Sequence, residues 1–401
     1  MDSNTPQPAG DAEMKSRLVK SAAYYAAFII LGLTNAVIGP TLARLAEHTH
    51  TQPNQISFIF PASAFGYLIG SLLAGRLYDR LPGHRVLVTV LLVVAGGLTL
   101  TPLAGSIWAL TAILLILNIS TGSIDVGGNT LLVWVHRDKV GPFMNALHFF
   151  FGVGAFLAPM IVAQVVKSTG EINRAFWIMA FLAVPVAIWL FFLRSPKSIV
   201  ETGGDQKGPV NVFLVVLVSL FLFIYVGAEV GFGNWISYYT TSLGLANEAT
   251  AAYLASAFWG SLTLGRLLSI PLAVRFSLRS LLSADLVGCL ASILVIVLFP
   301  GSLTTLWIGA LGLGFSMASV FPMTISLAER FLTITGSITS YFFVGASLGG
   351  MFLPWLIGQF FEPVGPTVTM FFILADLLVG VAVFAFLMFK ARHPNAAAVA
   401  A

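Results

Sequence analysis

Two carboxylates stand inside long apolar stretches, Asp125 in STGSIDVGGNTLL and Glu229 in YVGAEVGFGNW. A charge at the centre of a bilayer costs about 3 kcal/mol or more, so an acid held there is a functional candidate by default. It can take up a proton or a small cation, or accept hydrogen bonds from solute hydroxyls. Asn129 follows Asp125 by four positions, and a helix puts both on one face. Gly122, Gly127 and Gly128 remove bulk nearby, which suits close approach of a second helix. His148 sits in the next apolar run, and an imidazole titrates near neutral pH. Asp125, His148 and Glu229 are therefore the expected coupling residues; the rival reading of Asp125 and His148 is a structural bond between helices, and Glu229 also suits a substrate contact or a gate. Gly227, Gly231 and Gly233 around Glu229 predict a helix that bends or breaks to expose backbone groups. Trp235 beyond it can stack on a sugar ring or anchor at a membrane face. With Asn35, Asn118, Asn129, Asn145, Tyr225, Asn234, Trp259 and Tyr341, it makes up the expected substrate contacts. Asp285 is expected to reach loop arginines, and Asp376 to find local pairing or hydration.

The elements that must position these residues are apolar runs near 22–43, 55–76, 86–105, 109–133, 142–165, 174–193, 210–239, 249–270, 280–300, 304–328, 335–361 and 367–389. Each reaches the roughly 20 residues a helix needs to cross a bilayer. Apolar residues make up 58% of the chain and charged residues only 9%, a balance that leaves too few charges to clothe a soluble surface. With the N-terminus in the cytoplasm, 17 of the 20 Lys and Arg fall inside and only Arg44, Lys167 and Arg174 outside. Both termini are then cytoplasmic. Asp125 lies roughly 12 Å above the inner end of the fourth run, and His148 roughly 10 Å above the inner start of the fifth. The two are expected to face each other at similar depth.

The polar stretch RSPKSIVETGGDQKGPV divides the runs six and six. The expected organisation is a cytoplasmic tail at 1–21, a six-helix bundle at 22–193, a linker at 194–209, a second bundle at 210–389 and a tail at 390–401. GSLLAGRL at 70–77 returns as GSLTLGRL at 260–267, and Val153-Gly154-Ala155 returns as Val344-Gly345-Ala346. The nearly equal offsets of 190 and 191 indicate a parallel repeat. The predicted fold is an all-α membrane protein, with twelve transmembrane helices in two parallel-repeat six-helix bundles around a site near mid-membrane.

GRLYDRLPGHR, from Gly75 to Arg85, resembles the loop between helices two and three of the major facilitator superfamily, with one extra residue between Arg80 and Gly83. The resemblance implies the major facilitator fold. It also implies a cytoplasmic gate at Gly75, Asp79, Arg80, Gly83 and Arg85 that closes the inner side in the outward-open state. Arg266 takes the equivalent place in the second half, without an acidic partner. SIDVGGN resembles the acidic-x-x-x-Asn element of the fucose–proton symporter group. NALHFFFGVGAFLAP and YVGAEVGFGNWISYY resemble the fifth and seventh helices of its sodium-dependent glucose transporter branch. The first run carries neutral Asn35 where the fucose symporters place an acid.

These readings predict a secondary active transporter that moves a small polar solute, a monosaccharide, by alternating access. The expected coupling ion is Na+ or H+, with no other cofactor. The alternatives are a multidrug or amphipathic-solute exporter and an uncoupled facilitator. Expected partners are the solute and membrane lipids, around a functional monomer in a bacterial inner membrane. The net charge of +4 is spread between apolar runs, which speaks against nucleic acid. Cys289 is the sole cysteine, which excludes an intrachain disulfide and a cysteine-rich metal or iron–sulfur site. No ATP-binding loop or metal-ligand cluster is visible in the sequence, so pumping by hydrolysis and ordinary enzymology are disfavoured.

Overall fold

Apolar chain in a bilayer must satisfy its backbone polar groups internally, and a run too long for a loop does so as helix. A computed structural model describes residues 8–197, 211–332 and 336–392, and among these it forms fifteen α-helices. They are α1 (Pro8–Ala36), α2 (Ile38–His48), α3 (Pro53–Ile56), α4 (Ile59–Arg80), α5 (Gly83–Leu100), α6 (Ile107–His136), α7 (Gly141–Thr169), α8 (Asn173–Phe192), α9 (Val212–Ser242), α10 (Glu248–Arg275), α11 (Leu278–Leu298), α12 (Leu303–Met317), α13 (Val320–Ala328), α14 (Gly336–Val364) and α15 (Val368–Arg392). Among the described residues, twelve candidate spans are long and apolar enough to cross a membrane. Several starts are fixed by side-chain caps: Ser106, Asn211, Asn247, Ser277 and Ser302 each accept a hydrogen bond from the backbone N–H three residues on.

Three elements differ from the sequence expectation. Residues 8–21, expected as a tail, continue the first span as helix, with Arg17 paired to Glu13 at 2.6 Å one turn away. The first span is instead interrupted at Val37, between α1 and α2; Pro40 has no N–H to return to the carbonyl of Ala36. The seventh span does not break. α9 runs unbroken through Gly227, Gly231 and Gly233, and those glycines receive neighbours instead: Leu353 packs near Gly227 and Gly231, and the Trp259 ring lies against Gly233. The greater parts of the expected linker and C-terminal tail, 198–209 and 393–401, lie outside the described residues.

The first half, α1 to α8, packs α1 on α6 and α7, α4 on α6, and α5 on α8; the second packs α9 on α14 and α15, and α12 on α10 and α11. The repeat is structural as well as textual. A Cβ on Gly154 would run into the carbonyl of Ile29, and one on Gly345 into the carbonyl of Ser219. Gly345 follows Gly154 by 191 positions and Ser219 follows Ile29 by 190, so the same bare-backbone contact joins the first and fifth spans of each half.

The halves meet where α7 packs on α10, α4 on α14 and α2 on α9. Their polar ties gather towards the end away from the termini. Arg44 grips Glu248 with both contacts at 3.0 Å. Gln359 donates to the Asn54 carbonyl at 2.8 Å and to the Ser57 hydroxyl at 3.0 Å. Nearer mid-depth, Ser256 donates to the Phe156 carbonyl at 2.7 Å. At the terminal end Arg76, Asp79, Arg80, Arg85, Arg275 and Arg279 are exposed.

Candidate functional site

Between the halves lies a cavity of about 920 Å³. It extends from Asn35, Asn118 and Tyr67 deep in the bundle to Ile270, Leu278 and Ser326 near the terminal ends of α10, α11 and α13. It therefore faces the terminal end, while the Arg44–Glu248 and Gln359 contacts close the other.

The first half brings Asn35, Asn118, Asp125, Asn145 and His148 to its wall, and the second brings Glu229, Asn234, Trp259 and Arg266. Asp125 receives a hydrogen bond from the Tyr67 hydroxyl on its Oδ2, and Asn129 donates to its Oδ1 at 3.0 Å. Asn129 thus supports Asp125 from outside the cavity lining, as helical spacing predicts. His148 is within electrostatic reach of both Asp125 and Arg266, and its ring meets the Phe28 ring edge-on at 5.9 Å between centroids. On the facing wall, Arg266 is within electrostatic reach of Glu229, and its Nε donates to the Ala318 carbonyl at 3.3 Å. That carbonyl is free because Pro322, four residues on, has no N–H to offer it. Counted as formally ionised, two carboxyl groups and one guanidinium leave the lining one negative charge beside a neutral His148.

Four expected contacts lie elsewhere. Trp235 is fully buried, donates its indole N–H to the Pro354 carbonyl at 2.9 Å, and stacks with Tyr238 and Phe361. It is enclosed between the second half and Phe60 of α4, whose ring centroid lies 6.1 Å away, and leaves no face open to a sugar or to the membrane. Tyr225 is buried too; its hydroxyl donates to the Met317 carbonyl at 2.8 Å beside Glu229, at the break between α12 and α13. Tyr341 is 62% exposed and outside the lining, and Asn129 stands behind Asp125 as described. Of the residues expected as a gate, Gly75, Asp79, Arg80 and Arg85 are exposed at the terminal end, and among the described residues Asp79 forms no ion pair. Gly83 is buried against Leu131 and Tyr78, while Arg266 belongs to the cavity wall and not to that loop. Asp285 accepts from Ser319 and not from loop arginines, and one oxygen of Asp376 is buried without a partner.

Tyr67, Ser63, Thr34 and Thr263 also line the cavity and were not singled out from the sequence. A single tyrosine or threonine in an apolar run carries no signal of its own. The one available clue was the nearby GSLLAGRL repeat, which marks the fourth helix as part of the duplicated scaffold.

The family model described as Major Facilitator Superfamily matches residues 24–354. Sodium-dependent glucose transporter 1A of Mus musculus is 33% identical over 374 residues, covering 83% of this chain and 88% of that protein. Sodium-dependent glucose transporter 1 of Homo sapiens is 33% identical over 372 residues, covering 83% and 72%. Among solved structures, a point mutant of the nucleoside transporter NupG superposes with a TM-score of 0.74 at 14% identity, covering 93% of this chain and 99% of that one. A bacterial homolog of the human lysosomal transporter Spinster gives 0.72 at 14% identity, covering 94% and 97%.

Proposed function

The chain belongs to the major facilitator superfamily and is a transporter of that family, and from this premise we propose that it is a sugar symporter: it carries a monosaccharide across the membrane by alternating access, driven by a sodium or proton gradient. The observation that carries the reading is the cavity between the halves. Its lining takes Asn35, Asn118 and Asn145 from the first half and Glu229, Asn234 and the Trp259 ring from the second. Amides and carboxylates suit hydroxyl groups, and an aromatic face suits the apolar face of a sugar ring. The relatives named as sodium-dependent glucose transporters support the same substrate class and a cation-driven cycle.

Asp125 is the coupling residue in this reading, with His148 beside it. The unbalanced negative charge of the cavity favours entry of one monovalent cation with the neutral solute. The basic loops at the terminal end support a cytoplasmic location for both termini. The Gly75–Arg85 segment, with Asp79, Arg80 and Arg85 exposed, then acts as a gate that closes when the cavity opens to the other side. The Phe28, Phe149, Phe151, Phe321 and Phe343 rings in the lining keep an amphipathic solute as the second reading.

Proteoliposomes test both. Hexose counterflow that hydrophobic cations do not inhibit supports the sugar reading; transport of hydrophobic cations alone overturns it. Asp125→Asn is expected to abolish uphill accumulation while some counterflow survives. Accumulation driven by the same ion at unchanged stoichiometry would remove Asp125 from the coupling role.

A further inference from the structure

The proposed coupling residue sits among more oxygen atoms than a proton relay requires. Asp125 and Asn129 are one helical turn apart on α6, and Tyr67 and Ser71 are one turn apart on the facing α4. The two helices are pressed together at Gly122, where a Cβ would run into the Tyr67 carbonyl and lie 3.0 Å from the Ser71 hydroxyl. The Tyr67 hydroxyl donates to Asp125 Oδ2, and Ser71, one turn on, brings its hydroxyl to the same seam beside Gly122. Asn129 gives its amide N–H groups to Asp125 Oδ1 at 3.0 Å and to the Asp125 carbonyl at 2.9 Å, which leaves its own amide oxygen available as a ligand.

We infer that Asp125, Asn129, Tyr67 and Ser71 form a binding site for a hard monovalent cation of the sodium type, between α4 and α6 at the edge of the cavity. All the side-chain ligands are oxygen, the set that hard cations select over transition metals. One carboxylate supplies one negative charge, which matches a monovalent ion; a calcium site of six to eight oxygens is ordinarily built with more than one acid. Each carboxylate oxygen already accepts a hydrogen bond but keeps a second lone pair, so a cation adds without displacing a donor. A proton needs only one lone pair on one of these oxygens, and the neighbouring oxygen groups would take no part in holding it. Tyr67 and Asp125 both line the cavity, so the ion has a route in. His148 approaches from α7 and lies outside this oxygen set; it acts on the ion through charge.

The inference rests on the coupling role proposed for Asp125, and its test separates the two. The purified full chain is titrated with NaCl against KCl at constant ionic strength and without sugar, following the thermal midpoint and equilibrium binding of radioactive sodium. Sodium is expected to stabilise and bind, and potassium is not. Asp125→Asn is expected to abolish binding, while Tyr67→Phe and Ser71→Ala each weaken it about tenfold or more, as loss of a ligand or its support does. Asp376→Asn, which removes the unpartnered acid of the last span, is expected to leave sodium binding unchanged. No sodium binding to the wild type overturns the site. So does wild-type affinity in both Tyr67→Phe and Ser71→Ala, or a larger loss in His148→Gln than in either. Should Tyr67→Phe fail to fold, Ser71→Ala carries the same test. Sodium binding with this dependence but no hexose counterflow keeps the site and rejects the sugar reading. Hexose counterflow without sodium binding does the reverse.

Discussion

The Arg44–Glu248 pair is the ion pair described between the two halves, and its removal tests the closure of the end away from the termini. Arg44 belongs to α2 and Glu248 to the first turn of α10. Two contacts of 3.0 Å give fork geometry, but the side chains are 36% and 34% exposed, so water screens much of the attraction. The hydrogen bond to Glu248 pushes the Arg44 guanidinium further above its ordinary range, and Arg44 stays charged at any pH an assay uses. A partly exposed pair of this kind is worth about 0.5–1 kcal/mol. Lost only when the halves part, it sets the conformer ratio; at 1.4 kcal/mol per factor of ten, Glu248→Gln reduces the closed-to-open ratio about two- to fivefold. Glu47 also contacts Arg44, at 3.1 Å, but both lie in α2 and move together, so Glu47→Gln leaves the ratio unchanged. The helix-start contribution of Glu248 is the same in both conformers and cancels. Electron–electron distance measurements between labels at His50→Cys and Leu245→Cys, in a Cys289→Ser background, read the two populations. High salt should shrink the difference between wild type and Glu248→Gln. Equal shifts from Glu47→Gln and Glu248→Gln, or no shift from the latter, would refute the reasoning.

Trp235→Phe strands the buried Pro354 carbonyl, at a cost of about 1–3 kcal/mol. The melting temperature should fall while hexose half-saturation stays within about twofold of wild type; a loss of affinity at unchanged stability would put the indole on the solute after all. Gly154→Val forces α7 away from the Ile29 carbonyl and is expected to cost about 3 kcal/mol or more, read as lost thermal stability in detergent. Gly345→Val should do the same in the second half, and tolerance of either change would contradict the close contact. Ser326→Cys, at the open end of the cavity, should react with a polar thiol reagent and be protected when the transporter turns to its other state. Gln359→Cys should show the opposite pattern, and fixed reactivity of both would argue against alternating access.

Much of the scaffold was legible because its physics is carried by runs and spacings. Twelve stretches too apolar for water must become spans, and basic residues between them set a consistent polarity. The pair Asp125 and Asn129 was legible as well, since four-residue spacing on a helix is a contact by geometry alone. What failed was inference from residue type without a partner. Three glycines in α9 read as a weak helix, yet a glycine that receives Leu353 or Trp259 is a packing surface, and the helix runs through all three without a break. Trp235 read as a solute platform or a membrane-face anchor for want of any sign that Pro354, Tyr238 and Phe361 would enclose it. The real breaks, near Val37 and Ala318, were written plainly as Pro40 and Pro322, but prolines are frequent enough in such chains that those two did not stand out.

The repeat explains why one half was easier to read than the other. Gly154 and Gly345 keep the same backbone contact, so duplication preserved the scaffold of the two halves. The chemistry on it diverged. The first half holds Asp125 with neutral oxygen groups around it, from Tyr67, Ser71 and Asn129. The second sets Glu229 within reach of Arg266, and Arg266 is itself braced on the carbonyl that Pro322 frees. A carboxylate with a resident counter-charge has little need of an added cation, whereas one surrounded by neutral oxygens retains its charge for an ion. In the proposed reading the asymmetry gives different work to equivalent halves. The first half is suited to the coupling ion, and the second to a fixed polar surface for solute that also holds the broken tenth span. Arg266→Gln should then damage transport without changing which ion drives it, whereas Asp125→Asn should change the driving ion's effect and spare exchange. If Arg266→Gln alters ion dependence as Asp125→Asn does, the two charges act as one site and the division between the halves is wrong.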